Sequence, residues 1–199
     1  MRKMGMLLAM VAAFLAAGAV TLFAAGSAAL GTPAPSFSLV DQNGKTVSLA
    51  DFKGKVVVLE WTNPQCPFVQ RHYREKTMTT LASDFAPKGV VWIAINSSSG
   101  DTTATNLDWA KQNDVTYPIL DDSKGTVGHE YNAKSTPDMF IINTDGNIVY
   151  SGAIDNDPDG DKGAARVNYV KQALDEVLAG KTVSVPETKS YGCHVRYAD

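Results

Sequence analysis

The fold is decided by residues 56–73, VVVLEWTNPQCPFVQRHY. The β-branched run Val56 to Leu59 predicts a buried strand. The pair Asn63-Pro64 ends that strand, and Pro67 suits the first turn of a helix. Strand, turn and helix therefore follow one another directly, and Cys66 falls at the N-terminus of the helix.

The position of Cys66 predicts a reactive thiol. Unpaired backbone N–H groups and the helix dipole favour a thiolate over a thiol, which lowers the pKa and supplies the nucleophilic form. A half-buried structural cysteine is the alternative interpretation of the same position. We favour redox chemistry because a cysteine within the strand would lack this electrostatic environment.

Residues 1–29 have the composition of an export signal. Arg2 and Lys3 precede an uncharged stretch from Met4 through Leu30, and the small residues of Gly26–Ala29 suit a signal peptidase. We therefore predict a cleaved signal peptide over 1–29 and export to a bacterial periplasm. An uncleaved membrane anchor is the alternative, because the uncharged stretch exceeds the about 20 residues that cross a bilayer.

Residues 30–199 fit one compact domain, with residues 181–199 as a tail after the last helix. The formal net charge of −3 leaves no broad basic surface, so nucleic acid is not an expected partner. The sequence has no phosphate-binding glycine loop and no complete dinucleotide fingerprint, and its three histidines give a serine triad little support. We expect no cofactor and no metal site.

Alternation of apolar and turn residues along the chain predicts a mixed sheet with helices on its faces. The predicted strands are Phe37 to Val40, Thr46 to Leu49, Val56 to Trp61, Val90 to Asn96, Tyr117 to Leu120, Met139 to Ile142 and Ile148 to Gly152. The predicted helices are Pro67 to Phe85, Thr103 to Asn113, Thr126 to Tyr131 and Ala164 to Ala179.

These residues carry a family resemblance. Residues 31–61, GTPAPSFSLVDQNGKTVSLADFKGKVVVLEW, together with Cys66-Pro67 and Thr136-Pro137, resemble the redoxin branch of thioredoxin-fold proteins, the alkyl hydroperoxide reductase and thiol-specific antioxidant family. The resemblance implies a thioredoxin-like α/β fold with an N-terminal hairpin extension and a C-terminal tail. It also implies a cis bond before Pro137 and a Thr136 backbone that is presented to a substrate peptide or partner.

The sequence departs from the family's patterns at two places. The residue three positions after Cys66 is Val69, so the C-x-x-C dithiol of thioredoxins is absent. Asn63 and Leu59 stand where peroxiredoxins carry a Thr or Ser and a Pro that orient and enclose the peroxide. We therefore expect disulfide exchange or slow peroxide reduction rather than fast peroxidase catalysis.

Cys193, in the segment SYGCHVRY, is the candidate for the missing second thiol. By resemblance, a subset of redoxin sequences pairs a C-P-F-V turn with a C-terminal G-C motif. The last helix carries the chain about 21 Å from the active-site end, whereas the segment from Gly180 to Cys193 can span up to about 43 Å. The tail can return, so we expect Cys66 to attack and Cys193 to resolve.

Other polar residues are weaker candidates. Glu60 lies near the position at which thioredoxins keep a buried carboxylate. Burial would raise its pKa to a value suited to a general base. The alternative is that its side chain points to the sheet surface. Arg71 and His72 either add positive potential near the thiol or form a solvated helix face. His194 follows Cys193, but adjacent side chains diverge in an extended segment.

Residues 155–161, DNDPDGD, imitate a calcium loop. The twelfth position is Arg166 where a bidentate Glu is needed, and the preceding segment is a predicted strand rather than a helix. We interpret the segment as a solvated loop that leads into the last helix.

The sequence thus predicts an exported thiol-disulfide oxidoreductase or thiol-dependent antioxidant reductase. Its expected partners are protein thiols and disulfides or a peroxide, together with an external thiol reductant, and a membrane only if the N-terminal segment stays uncleaved. Two alternatives stay open. One is a copper-handling protein that uses Cys66, Cys193 and one of His72 or His194. The other is a redox-inactive domain with a permanent Cys66–Cys193 disulfide.

Overall fold

The computed structural model describes residues 28–198. The strands are β1 (Ser38–Asp41), β2 (Thr46–Ser48), β3 (Val57–Trp61), β4 (Val91–Asn96), β5 (Ile119–Asp121), β6 (Ser135–Thr136), β7 (Asp138–Ile142), β8 (Ile148–Gly152) and β9 (Cys193–His194). The α-helices are α1 (Pro67–Arg74), α2 (Thr77–Phe85), α3 (Thr103–Gln112), α4 (Thr126–Glu130) and α5 (Tyr169–Leu178).

The predicted signal peptide over 1–29 lies outside the described residues except for Ala28 and Ala29. Within residues 28–198, no helix has the length and apolar character that crossing a membrane requires.

Seven strands form a central mixed sheet in the order β2-β1-β5-β4-β3-β7-β8, and β6 and β9 form a separate two-stranded pair. The three inner strands β3, β4 and β5 are parallel, while β7 is antiparallel to β3 and β8 to β7. Parallel neighbours need crossover connections, which the helices between these strands provide. The predicted mixed sheet flanked by helices is confirmed, and the predicted hairpin β1–β2 extends one edge of it.

The central strand β3 supplies both halves of the core, because successive side chains of a strand point to opposite faces. Val58 packs with residues of α1, α2 and α5 on one face. Leu59 and Trp61 pack on the other face, where Tyr131 and Phe140 surround the indole ring. All five residues of β3 are buried, so the strand end that leads to Cys66 is held on both sides.

The helix predicted over residues 67–85 is broken into α1 and α2. Lys76 adopts a left-handed conformation, with φ 57°. In a continuous helix Tyr73 and Met78 would point about 140° apart at 100° per residue. Because the break re-aims the chain, both side chains reach the same core cluster and both are buried.

The last helix begins at Tyr169, not at Ala164 as predicted. Arg166 has an extended backbone, and the side chain of Asn168 caps the helix by accepting the backbone N–H of Lys171. The guanidinium of Arg166 binds Asp155, so a tertiary contact overrides the local helical pattern.

Candidate functional site

Cys66 lies at the N-cap of α1, directly after the turn that follows β3. Its backbone N–H donates to the carbonyl of Asn63 at 3.0 Å, and its own carbonyl accepts the first helical N–H, from Gln70. Pro67 occupies the first helical position, where no N–H is required. The sequence-predicted strand, turn and helix therefore place the thiol at the helix N-terminus as expected.

The thiol of Cys66 is buried, with 1% of its surface exposed, and points at the segment before Pro137. Its Sγ donates to the carbonyl oxygen of Thr136 at 3.0 Å. The Thr136–Pro137 bond is cis, as predicted. Thr136 is also buried, so these two residues meet inside the protein rather than at an open surface.

The C-terminal tail returns to this site. Strand β9 pairs antiparallel with β6, which sets Cys193 opposite Thr136 and His194 opposite Ser135. The tail therefore occupies the backbone edge that the family resemblance assigns to a partner. Both cysteines are free thiols, and Cys193 packs against the cluster that contains Cys66.

Contacts beyond β9 fasten the end of the tail. The carbonyl of Arg196 accepts the backbone N–H of Ser99 at 2.7 Å, and its guanidinium donates to Gln65 at 3.0 Å. The ring of Tyr197 stacks on His129 with centroids 4.0 Å apart. The tail thus crosses the whole active-site end of the sheet.

The two thiols differ in acidity. Burial raises the pKa of Cys66, but hydrogen bonding with Cys193 and Thr136 and with the backbone of Val69 brings it below the usual value. Burial and the neighbouring Cys66 raise the pKa of Cys193 to about 11. Cys66 is therefore the more acidic thiol of the pair and Cys193 the less acidic one.

Glu60 points into the helix-covered core and not to the sheet surface. Its carboxylate accepts hydrogen bonds from Tyr73 and Trp92, each at 2.9 Å, and from Tyr117 at 3.4 Å. Burial outweighs these bonds and raises the pKa of Glu60 to about 7. The burial on which the expected raised pKa depends is present, and the carboxyl lies beneath α1 among aromatic side chains.

His72 was expected on a solvated or cationic face of α1, and both expectations are wrong. Its ring is fully buried, and burial lowers its pKa to about 4, so it is neutral at neutral pH. Both ring nitrogens are engaged, by Arg166 at 3.0 Å and by the hydroxyl of Tyr191 at 3.0 Å. His72 cannot therefore serve as the copper ligand that we considered.

Arg71 is directed away from the thiol. Its guanidinium donates to the carbonyl of Asp157 at 2.7 Å and leaves little of the side chain exposed. His194 is exposed next to Cys193. Among residues 28–198, no group of three His, Cys, Asp or Glu side chains is arranged to hold a metal ion.

The segment 155–161 is more buried than the solvated loop that we expected. Asp157 accepts backbone N–H groups from Gly160 and Asp161, and Asp155 binds Arg166. Both aspartates are buried, and their carboxylates accept hydrogen bonds from the loop backbone and from the guanidinium of Arg166. The arginine that replaces the calcium-loop glutamate is thus itself the cation held by the loop.

Two groups near the site escaped the sequence analysis. Asp138 directly follows Pro137, and burial raises its pKa to about 7. Tyr191 donates its hydroxyl to Asp155 and contacts His72, two residues before Cys193. One signal was available for the buried ring of His72, since Val69, His72 and Tyr73 have the i, i+3, i+4 spacing of a buried helix face.

Comparison with known proteins supports a redox role. The AhpC/TSA family model matches residues 30–151. The thiol-disulfide oxidoreductase ResA of Bacillus thuringiensis subsp. konkukian is 31% identical over 120 residues, which cover 60% of this chain and 67% of the relative. The matched family region ends before the tail that carries Cys193.

Solved structures share the fold. A hypothetical protein of Sinorhizobium meliloti 1021 superposes with a TM-score of 0.78 and 30% identity, covering 87% of this chain and 97% of the other. A putative thiol:disulfide interchange protein DsbE of Chlorobium tepidum gives a TM-score of 0.56 and 25% identity, covering 63% of this chain and 85% of the other. The predicted thioredoxin-like architecture is confirmed.

Proposed function

Because the chain belongs to the AhpC/TSA family, we propose that this thioredoxin-like oxidoreductase exchanges disulfides with protein partners, with Cys66 attacking and Cys193 resolving. One observation carries the proposal. Strand β9 sets Cys193 opposite Thr136, the residue whose carbonyl accepts the Cys66 thiol. Thr136 therefore lies next to both thiols: the more acidic thiol of Cys66 at the helix N-cap and the less acidic thiol of Cys193 on β9.

The exchange proceeds in two displacements. The Cys66 thiolate attacks one sulfur of a partner disulfide; that S–S bond breaks, the other partner sulfur leaves as a thiolate, and a mixed disulfide forms. Cys193 loses its proton to the departing thiolate or to water and attacks Sγ of Cys66. The partner leaves fully reduced, Cys66 and Cys193 are joined, and two thiols of an external reductant restore the enzyme.

A partner peptide competes with the tail in this mechanism. Only one extended strand at a time can pair with a given edge of β6, and β9 occupies the edge at which Thr136 lies opposite Cys193. Cys66 is also buried while the tail is in place. Partner docking therefore requires release of β9, and resolution requires its return.

Peroxide reduction is a second, slower reaction in this proposal. Peroxide would oxidise the Cys66 thiolate to a sulfenic acid, and Cys193 would then displace the remaining oxygen as water. The side-chain oxygen of Asn63 accepts the backbone N–H of Gln65 at 2.7 Å, so it serves the turn. Leu59 packs in the core cluster on the opposite face of the sheet from Cys66. These placements favour disulfide exchange.

Export to a bacterial periplasm remains part of the proposal and rests on the composition of residues 1–29. An oxidising compartment would supply disulfide partners and require a dedicated thiol reductant.

The test is a trapping experiment with mass spectrometry. Cys193→Ser should accumulate a mixed disulfide on Cys66 when the reduced protein meets a disulfide-bonded peptide, because the resolving thiol is missing. The native chain should release the peptide reduced and carry a Cys66–Cys193 disulfide that dithiothreitol removes. Equally fast modification of Cys193 in a Cys66→Ser variant would reverse the assignment of attacking and resolving thiols.

A further inference from the structure

Tyr191 ties the tail to the body of the protein just before Cys193. Its hydroxyl donates to Oδ1 of Asp155, and the nitrogen Nε2 of His72 lies 3.0 Å from the hydroxyl oxygen of Tyr191. The carboxylate of Asp155 is completely buried. The aromatic ring of Tyr191 lies against Phe68, with ring centroids 6.0 Å apart. The phenol is therefore engaged by both its polar end and its ring.

The hydrogen bonds of this cluster close into a ring. Arg166 can only donate, so its contact with Nδ1 of His72 at 3.0 Å favours the imidazole proton on Nε2, which lies nearer to the hydroxyl of Tyr191, at 3.0 Å, than to the guanidinium of Arg71, at 3.4 Å. That proton is then donated to the hydroxyl oxygen of Tyr191, whose own proton goes to Asp155. Arg166 completes the ring by donating from Nε to Asp155. Each group satisfies the next, which makes the cluster specific for a hydroxyl at position 191.

The helix that carries Cys66 also carries part of this cluster. Phe68 and His72 lie on α1, whose N-cap is Cys66. Beyond Tyr191 the chain passes Thr136 so closely that a Cβ on Gly192 would clash with the Thr136 carbonyl oxygen, and Gly192 has φ 131°. A residue without a side chain is needed there. The path from the phenol to Cys193 is therefore short and sterically defined.

We propose that Tyr191 is a positioning residue whose hydroxyl anchors the tail on α1 and holds Cys193 over Cys66. Its part in resolution rests on the proposed function, whereas its part in covering Cys66 does not. The anchor sets how often β9 leaves the edge of β6 and so decides both how readily a partner reaches Cys66 and how readily Cys193 returns. In this proposal the cluster acts on the reacting sulfurs through the tail.

The first test measures the covering of Cys66 without redox chemistry. In the full chain with Cys193→Ser, Cys66 is the single remaining cysteine, and iodoacetamide alkylates it only when the tail opens. Rates are compared at the high-pH plateau, so that a changed pKa of Cys66 does not enter. Adding Tyr191→Phe removes one oxygen and keeps the ring, and alkylation should become about tenfold faster, the effect of losing one hydrogen bond to a charged group.

The matched control is Tyr169→Phe in the same background. Tyr169 packs partly buried against the same core cluster, and its hydroxyl has no hydrogen-bond partner within residues 28–198. Its alkylation rate should equal that of the parent. An unchanged rate in Tyr191→Phe, or an equal acceleration in the control, overturns the anchor.

The second test uses both cysteines in a glutathione redox buffer. Tyr191→Phe should form the Cys66–Cys193 disulfide about tenfold faster with oxidised glutathione, because glutathione reaches Cys66 only when the tail opens. If the native chain forms the disulfide and the variant forms it at the same rate, the anchor is refuted and the proposed function stands. If the native chain forms no such disulfide, the proposed function fails, and the alkylation rates alone decide whether Tyr191 anchors the tail.

Discussion

Replacing Glu60 with Gln should change how the free energy of unfolding depends on pH. Burial raises the pKa of this carboxyl from 4.5 to about 7 in the folded protein. Between these two values the unfolded chain has lost a proton that the folded protein keeps, so stability falls as pH rises through this window. A difference of this size corresponds to about 3 kcal/mol, present as extra stability below pH 4.5 and lost above pH 7.

Urea unfolding of the reduced protein between pH 4 and pH 8 measures this effect. The stability of the native chain minus that of Glu60→Gln should fall by about 3 kcal/mol across the range. Taking this difference cancels the titrations of Asp138 and His72, which both proteins share. The constant part reflects the amide, which cannot accept from all the donors around the carboxylate.

A control substitution fixes the interpretation. Glu187 is exposed, so Glu187→Gln makes the same chemical change without touching a buried carboxyl. A pH dependence for Glu60→Gln no larger than that for Glu187→Gln would refute the reasoning from burial.

Three further predictions concern the thiols. Gly192→Ala should speed alkylation of Cys66 about thirtyfold in the Cys193→Ser background, since its Cβ would clash with the carbonyl oxygen of Thr136 and disfavour the docked tail; a native rate would contradict the path of the tail. Cys193→Ala should raise the pKa of Cys66, because hydrogen bonding from Cys193 lowers it. A pH series of alkylation rates measures this pKa, and an unchanged value would contradict the prediction. Hydrogen peroxide should oxidise Cys66 at close to the rate of a free thiolate in stopped-flow experiments; an acceleration of about a thousandfold, worth about 4 kcal/mol, would establish a dedicated peroxidase.

The parts of the site that local signals specify could be predicted from the sequence. A β-branched run, an Asn-Pro turn and a proline after Cys66 act on neighbouring residues, so strand, turn and N-cap follow from short-range rules. The cis bond before Pro137 came from family resemblance rather than from such rules.

The cluster around Tyr191 could not be predicted, because its members come from four separate segments. His72 lies on α1, Asp155 follows β8, Arg166 precedes α5, and Tyr191 belongs to the tail. His72, Asp155 and Arg166 each have a local interpretation, as a helix surface, a solvated loop and a helical turn, and Tyr191 has none. Only their mutual hydrogen bonds explain why polar groups at these positions are buried.

The second thiol of this chain, Cys193, lies on the tail strand β9 rather than on the helix that carries Cys66. A C-x-x-C protein keeps its resolving thiol one helical turn from the attacking one, where Val69 stands in this chain, so little chain movement controls the encounter. In the proposed mechanism the second thiol arrives on a strand that must first leave for a partner to dock, and the matched family region, residues 30–151, does not include it. In that mechanism the rate of resolution depends on the docking equilibrium of the tail, and α1 links that equilibrium to the chemistry by bearing Cys66 at its N-cap and the contacts of Tyr191 along its length.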